Sequence, residues 1–290
     1  MPGRRLLTEE QARQRGYGRD DFVRRRSVLR ETLAAFEGAA EGHYQGLARD
    51  NLARWRAQRG DAESPTAEVR VLPGDWGAAT LQLTRELGQC FAVLNMANAY
   101  SPGGAYVEGT AAQEENMFRR TDCHFRVGAD EIDAATDRYR PKMTALLSAT
   151  DGAVYLDTEA PRVCLRGPED RARDDLGYPW LADDEIFPFF ELRAAAVDLR
   201  RAGPGAFDPE EARRRIAAQL DTLRTQGIRH AVLSAFGCGA FHNPADRVAQ
   251  LYRDELETRG GNFALIAFAI FHPGYGPDNF SPFAKAFSAG

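Results

Sequence analysis

The sequence predicts an α/β fold, a mixed central sheet flanked by helices and preceded by a helical extension. Three observations carry that expectation. After residue 66 short apolar runs alternate with stretches of helical periodicity, the succession that builds helix-flanked sheets. Several of those runs are continuously apolar, as in strands covered on both faces. The first sixty residues instead read as helix.

The elements follow in order. Thr8-Glu-Glu-Gln11 fits a capping box, and Gly16-Tyr-Gly18 interrupts what comes next. Helices are predicted over 23–36 and 43–58, the latter with an apolar stripe of Leu47, Leu52 and Trp55. Gly60 to Pro65 reads as a junction, so the chain divides into an extension packed on the core, 1–65, and a main domain, 66–290. Strands are predicted at 68–72, 90–96, 153–156, 162–165, 192–199, 229–235 and 263–270. Helices are predicted at 76–87, 113–121, 208–226 and 244–258.

Composition narrows the function classes. The longest apolar run, 263–271, has nine residues, whereas a bilayer span needs about 20. The opening residues turn acidic where a secretory signal needs its apolar stretch, and a cytosolic protein without membrane attachment is expected. Cys90, Cys123, Cys164 and Cys238 form no Cys-x-x-Cys pair and the five histidines no His-x-x-x-His pair, so neither a metal nor a disulfide scaffold is expected. Net charge is −5, and direct nucleic-acid binding is not expected. Residues 1–60 nonetheless hold 13 Arg against 8 Asp plus Glu, a balance of +5. That excess is either a solvated helical surface or an arm that attracts a polyanion. Arg24, Arg25 and Arg26 are expected to lie outside the core. Lys142 and Lys285 are the only lysines, so cationic contacts fall to arginine.

Two loops that follow strands carry the chemistry, as expected where ligands collect at the carboxyl ends of strands. The first runs from Asn95 through Asn98, Gly103, Gly104 and Ala105 to Gln113, Glu114 and Glu115. The glycines let a ligand approach the main chain. Two carboxylates in a first helical turn suit the helix dipole without further explanation, but their company of strand, Asn and Gly pair points to a site. The second loop is Ala235-Phe-Gly237-Cys238-Gly239-Ala240-Phe241-His242-Asn243-Pro244. Asn243 is expected as N-cap with Pro244 in the first turn. Glycines before a helix N-terminus form a receptacle for phosphate, although Gly-x-Gly alone also marks ordinary turns.

The Gly103-Gly-Ala-x7-Gln-Glu-Glu115 segment resembles the signature of the poly(ADP-ribose) glycohydrolases, three glycines, a spacer and Gln-Glu-Glu. The 233–244 segment resembles that family's second phosphate loop. The likeness covers about residues 66–285, and the helical front end resembles that of the microbial-type members. Here Ala105 stands at the third glycine. Alanine is strained at positive φ, so either that position is relaxed or the loop differs in shape.

The resemblance implies a macrodomain fold, no cofactor, poly(ADP-ribose) or ADP-ribosylated protein as substrate, and free ADP-ribose as product. It implies hydrolysis of the ribose–ribose O-glycosidic bond, with Glu115 as general acid and then base. Glu114 and Asn98 would fix ribose hydroxyls, Gln113 would hold the loop, and the backbone of 237–241 would cradle the diphosphate. Gly103, Gly104 and Ala105 would line the ligand. Phe241 and Phe271 would pack against sugar or base, or serve as core aromatics. A general acid needs its proton near neutral pH. The helix start opposes that, while burial and an adjacent carboxyl favour it. Rival readings are a non-catalytic ADP-ribose-binding macrodomain, a mono-ADP-ribosyl hydrolase, and a cysteine hydrolase built on Cys238 and His242.

Overall fold

A computed structural model describes residues 3–60 and 65–288. Residues 61–64, within the expected junction at Gly60 to Pro65, lie outside the described residues. The chain opens with α1 (Glu9–Gln14), α2 (Asp20–Gly38) and α3 (His43–Arg59). β1 (Glu68–Pro73), α4 (Trp76–Leu87), β2 (Ala92–Met96) and α5 (Gln113–Arg120) follow. Next come a small hairpin of β3 (Ile132–Asp133) and β4 (Arg138–Tyr139), then α6 (Pro141–Leu147), β5 (Tyr155–Cys164) and β6 (Phe187–Ala194). The chain closes with α7 (Pro209–Thr225), β7 (His230–Leu233), α8 (Ala245–Arg259), β8 (Leu265–Ile270) and α9 (Phe280–Phe287).

Local chemistry sets several of these limits. Thr8 and Gln11 form the reciprocal capping box that starts α1. Asp75 accepts from the N–H groups of Gly77 and Ala78 to start α4, and Gly88 ends it in the left-handed conformation. Asp208 caps α7, with Pro209 at its first position.

The main sheet runs in the order β1-β8-β7-β2-β6-β5. All neighbouring pairs are parallel except β5 with β6. Side chains of β8 alternate: Leu265, Ala267 and Ala269 join one core, Ile266, Phe268 and Ile270 the other. The first core packs against α2, α3, α4 and α5 through Leu29, Leu33, Trp55, Leu83 and Phe118. The second packs against α7, α8 and α9 through Ile216, Leu220, Tyr252 and Phe283. The result is a three-layer α/β/α molecule in which the N-terminal helices supply part of one layer. Among the described residues no helix is long and apolar enough to cross a membrane.

Three expectations change. The strands expected at 153–156 and 162–165 are one strand, β5, with a register shift between Asp157 and Arg162. The strand expected at 192–199 begins at Phe187 and ends at Ala194. Pro188 masked that start. It is tolerated because β6 pairs only with β5 there, pairing with β2 beginning at Phe190. Arg25 and Arg26, expected at the surface with Arg24, are 4% and 1% exposed; Arg24 alone is exposed. Their burial is affordable because each guanidinium is paired. Arg25 meets Glu169 at 2.8 Å, and Arg26 meets Glu9 at 2.5 Å.

Candidate active site

Because β2, β6, β7 and β8 are parallel, the loops that follow them emerge at one end of the sheet. Both glycine loops lie there, on neighbouring strands β2 and β7.

In the first loop Gln113 ties the start of α5 to the end of β2. Its Oε1 accepts from the Met96 N–H at 2.9 Å, and its Nε2 donates to the Leu94 carbonyl at 2.8 Å. Gly103 and Gly104 both have positive φ, 69° and 58°. A Cβ on Gly103 would lie 2.5 Å from Tyr106, and one on Gly104 2.5 Å from Glu115 Oε1 and 3.1 Å from Glu114 Oε2. Only glycine lets this turn close over the two carboxylates. Ala105 is not among the residues with positive φ. The third position is therefore relaxed, and alanine carries no positive-φ strain there.

The two glutamates differ. Glu114 is 3% exposed, and both oxygens are occupied: Oε2 accepts from the Asn98 N–H at 2.7 Å and Oε1 from the Gly103 N–H at 3.1 Å. Burial and then the neighbouring Glu115 push its carboxyl well above the ordinary value. Glu115 uses one oxygen. Its Oε1 accepts from the Ala105 N–H at 2.9 Å and the Thr110 hydroxyl at 3.1 Å. No described residue donates to Oε2. Asn98 turns its Oδ1 onto the N–H groups of Tyr100 and Ser101, both at 2.9 Å.

In the second loop Gly237 has φ 75°, and a Cβ there would meet Ala196 and the Asn243 amide. Asn243 does not cap α8 as expected. Its Nδ2 donates to the carbonyls of Val197, 2.8 Å, and Gly237, 3.1 Å, drawing the loop against the segment after β6. The Leu199 N–H donates to the Phe241 carbonyl at 3.0 Å in the same seam. Gly239 and Ala240 are exposed. Cys238 turns inward, 2% exposed, and burial pushes its thiol above the ordinary range. His242 is exposed. A buried thiol that is raised by burial and donates to the Phe236 carbonyl, while His242 faces solvent, speaks against the cysteine-hydrolase reading.

Arginines missed in the sequence join these loops. Arg200, paired with Asp198 at 2.5 Å, lies over the Phe241 ring at 5.1 Å. Arg171 donates to the Ala111 carbonyl at 3.3 Å and to the Tyr275 hydroxyl at 3.1 Å, and lies 5.7 Å from the Phe271 ring. Phe271 is 44% exposed, so it is not a core aromatic. Beneath the site Glu191 accepts from Asn95, 2.8 Å, and Arg162, 2.9 Å, with Arg193 at 3.0 Å. Burial opposes its charge, yet Arg193 and Arg162 hold the carboxyl down to about 2. Thr110 had no readable signal, because its role depends on the loop folding back five residues onto Glu115.

No curated protein matches the chain by sequence. Residues 23–148 match the family model of the microbial-type PARG catalytic domain, a stretch that spans both sides of the expected boundary at 65 and 66. Among solved structures, poly(ADP-ribose) glycohydrolase from Thermomonospora curvata is similar, with TM-score 0.62 and 24% identity over 91% of this chain and 99% of that one. The same enzyme bound to the inhibitor ADP-HPD gives TM-score 0.60 at 22% identity, with the same coverage. Poly(ADP-ribose) glycohydrolase from Deinococcus radiodurans in complex with ADP-ribose gives TM-score 0.56 at 22% identity over 86% of this chain and 98% of that one. The chain thus matches the microbial-type PARG catalytic domain across residues 23–148 and has the macrodomain-like fold of solved poly(ADP-ribose) glycohydrolases.

Proposed function

We propose that this protein is a poly(ADP-ribose) glycohydrolase that releases ADP-ribose by cleaving the ribose–ribose O-glycosidic bond, with Glu115 as general acid and base. The observation that carries this reading is the contrast within the glutamate pair. Glu114 is fully engaged by backbone N–H groups, whereas Glu115 is fixed through Oε1 and its Oε2 takes no hydrogen bond from the described residues. Such a group is held in one orientation and still has an atom to offer a substrate.

In the proposed reaction protonated Glu115 gives its proton to the leaving ribose oxygen as the bond from the anomeric carbon breaks. The resulting oxocarbenium-like carbon takes water, whose proton returns to the Glu115 carboxylate. Glu114 holds the loop, Asn98 is left to meet the ribose hydroxyls, and Gln113 fixes the helix start. The exposed backbone of Gly239 and Ala240 receives the diphosphate, with Gly237, Cys238 and Phe241 shaping the loop. Phe271 lies open at the mouth for sugar or base. The partners are poly(ADP-ribose) or an ADP-ribosylated protein.

The test is to incubate the protein with poly(ADP-ribose) and with mono-ADP-ribosylated protein and measure free ADP-ribose. Glu115→Gln should lower turnover by roughly 10²-fold or more, while calorimetry finds ADP-ribose binding intact. Retention of more than about a tenth of the activity would remove Glu115 from the role. Binding without release from either substrate would make the protein a reader, and release only from the mono-modified protein would reassign the substrate.

A further inference from the structure

Gly104 links the two glutamates. Its preceding neighbour Gly103 donates to Glu114 and its following neighbour Ala105 to Glu115. The Ala105 N–H and the Gly104 carbonyl belong to one peptide group, which is planar and rigid. That carbonyl accepts from Arg4 Nη1 at 2.5 Å. A single line of hydrogen bonds thus runs from the Arg4 guanidinium through one peptide to Glu115 Oε1.

Arg4 is itself held firmly. It forms a two-pronged pair with Glu108, Nη2 to Oε1 at 2.7 Å and Nη1 to Oε2 at 3.1 Å. Its N–H donates to the Tyr106 hydroxyl at 3.0 Å, which in turn meets His124 Nδ1 at 2.8 Å. A Cβ on Gly3 would sit 2.5 Å from that imidazole, so the segment lies flat on His124. Burial pushes His124 down to about 4, and the ring is neutral at pH 7. Arg26 holds the far end of the turn, donating to the Glu108 carbonyl at 2.8 Å.

We infer that Arg4 is a positioning residue for Glu115: its guanidinium fixes the Gly104–Ala105 peptide against Glu108 and so sets the angle at which Glu115 meets the scissile bond. This rests on the proposed role of Glu115. Two physical effects favour it. Hydrogen bonds from an ionised donor are about twice as strong as neutral ones. A donor on the carbonyl side of a peptide also strengthens the N–H on its other side.

The test compares wild type, Arg4→Ala and Arg4→Lys with poly(ADP-ribose) as substrate. Arg4→Ala should lower kcat by roughly tenfold to a hundredfold, the penalty of a misplaced catalytic group. KM and the calorimetric Kd for ADP-ribose should stay within about threefold, since no ligand contact is lost. Guanidinium at about 10 mM should restore part of the Arg4→Ala turnover and leave wild type unchanged, because the missing fork can be replaced from solution. Arg4→Lys, which keeps the charge but not the fork, should have intermediate kcat. It also serves if Arg4→Ala folds poorly. Wild-type kcat in Arg4→Lys together with unrescued Arg4→Ala, or a loss confined to KM, would overturn the inference while leaving Glu115 in place. A wild-type protein without turnover would overturn the proposed function and this inference with it.

Discussion

Glu114 and Glu115 are neighbours in the chain, yet their surroundings differ: backbone N–H groups engage both oxygens of Glu114, whereas Glu115 is held through Oε1 alone, the contrast on which its proposed role rests. Glu114 also carries a stability consequence. Its carboxyl is raised above the ordinary 4.5 by burial and by Glu115, against the Asn98 N–H, which lowers it. A carboxyl raised on folding binds its proton more readily in the folded state. Its stabilising effect is therefore full below 4.5 and is lost as pH rises through the higher folded value. Glu115→Gln removes the second largest of these causes, the burial and the Glu191 charge remaining, while leaving an amide oxygen for the Ala105 N–H. Its melting temperature should exceed wild type near neutrality by roughly 2 °C, for a change on the order of 1 kcal/mol. The gain should shrink toward acid pH. Calorimetry across that range checks it, and a gain independent of pH would mean the carboxyls do not share their charge. The pair itself was legible, because strand, glycines and Gln-Glu-Glu are contiguous in sequence. Arg4 was not legible, since a contact across 100 residues leaves no local pattern.

At the scale of elements, the two glycines of the second loop have different tasks. Gly237 is built into the fold, with positive φ and a Cβ direction blocked by Ala196 and Asn243. Gly239 has ordinary φ and nothing within 4 Å of its Cβ direction. Gly239→Val should melt within about 2 °C of wild type, as exposed substitutions do, yet weaken ADP-ribose by at least about tenfold if backbone meets diphosphate there. Gly237→Val should lower the melting temperature by several degrees whatever the ligand does, because a branched residue is strained at φ 75°. Calorimetric titration that finds wild-type affinity in folded Gly239→Val would reduce the loop to a turn. The helices α4, α5, α7 and α8 were legible to within a residue or so: Asp75 caps α4 and Asp208 with Pro209 opens α7, while α5 and α8 follow directly from the two glycine loops. The hairpin β3–β4, α6 and α9 were not. They are short, and their boundaries are set by tertiary contacts such as the Ala195 N–H to the Leu147 carbonyl at 2.8 Å.

The whole molecule gives the arginine excess of the first sixty residues two separate meanings. Arg25 and Arg26 are internal struts; Glu169, which pairs with Arg25, also accepts the Tyr178 hydroxyl at 2.6 Å. Reversing Arg25 would break a pair buried on both sides, at about 3–5 kcal/mol, a large share of a typical total of 5–15 kcal/mol; Glu9 opposite Arg26 is 35% exposed. Hydrophobic periodicity could not reveal this, because Arg25 and Arg26 lie beside the apolar face of α2 and look like solvated charge. Arg5, Arg13, Arg15 and Arg24 are different: exposed and, like Arg54 and Arg56 on α3, without an ion pair among the described residues. As free surface cations they are able to attract a polymer that carries two phosphate charges per unit. Replacing all four with alanine should leave the fold and the Kd for free ADP-ribose unchanged, since among the described residues none forms a hydrogen bond or ion pair with either glycine loop. Binding to long poly(ADP-ribose) should weaken at low salt. The difference from wild type should fade toward physiological ionic strength, where screening shortens to about 8 Å. Binding isotherms at several salt concentrations decide it. Identical isotherms throughout would make these arginines ordinary solvated surface and leave polymer recognition to the loops at the carboxyl end of the sheet.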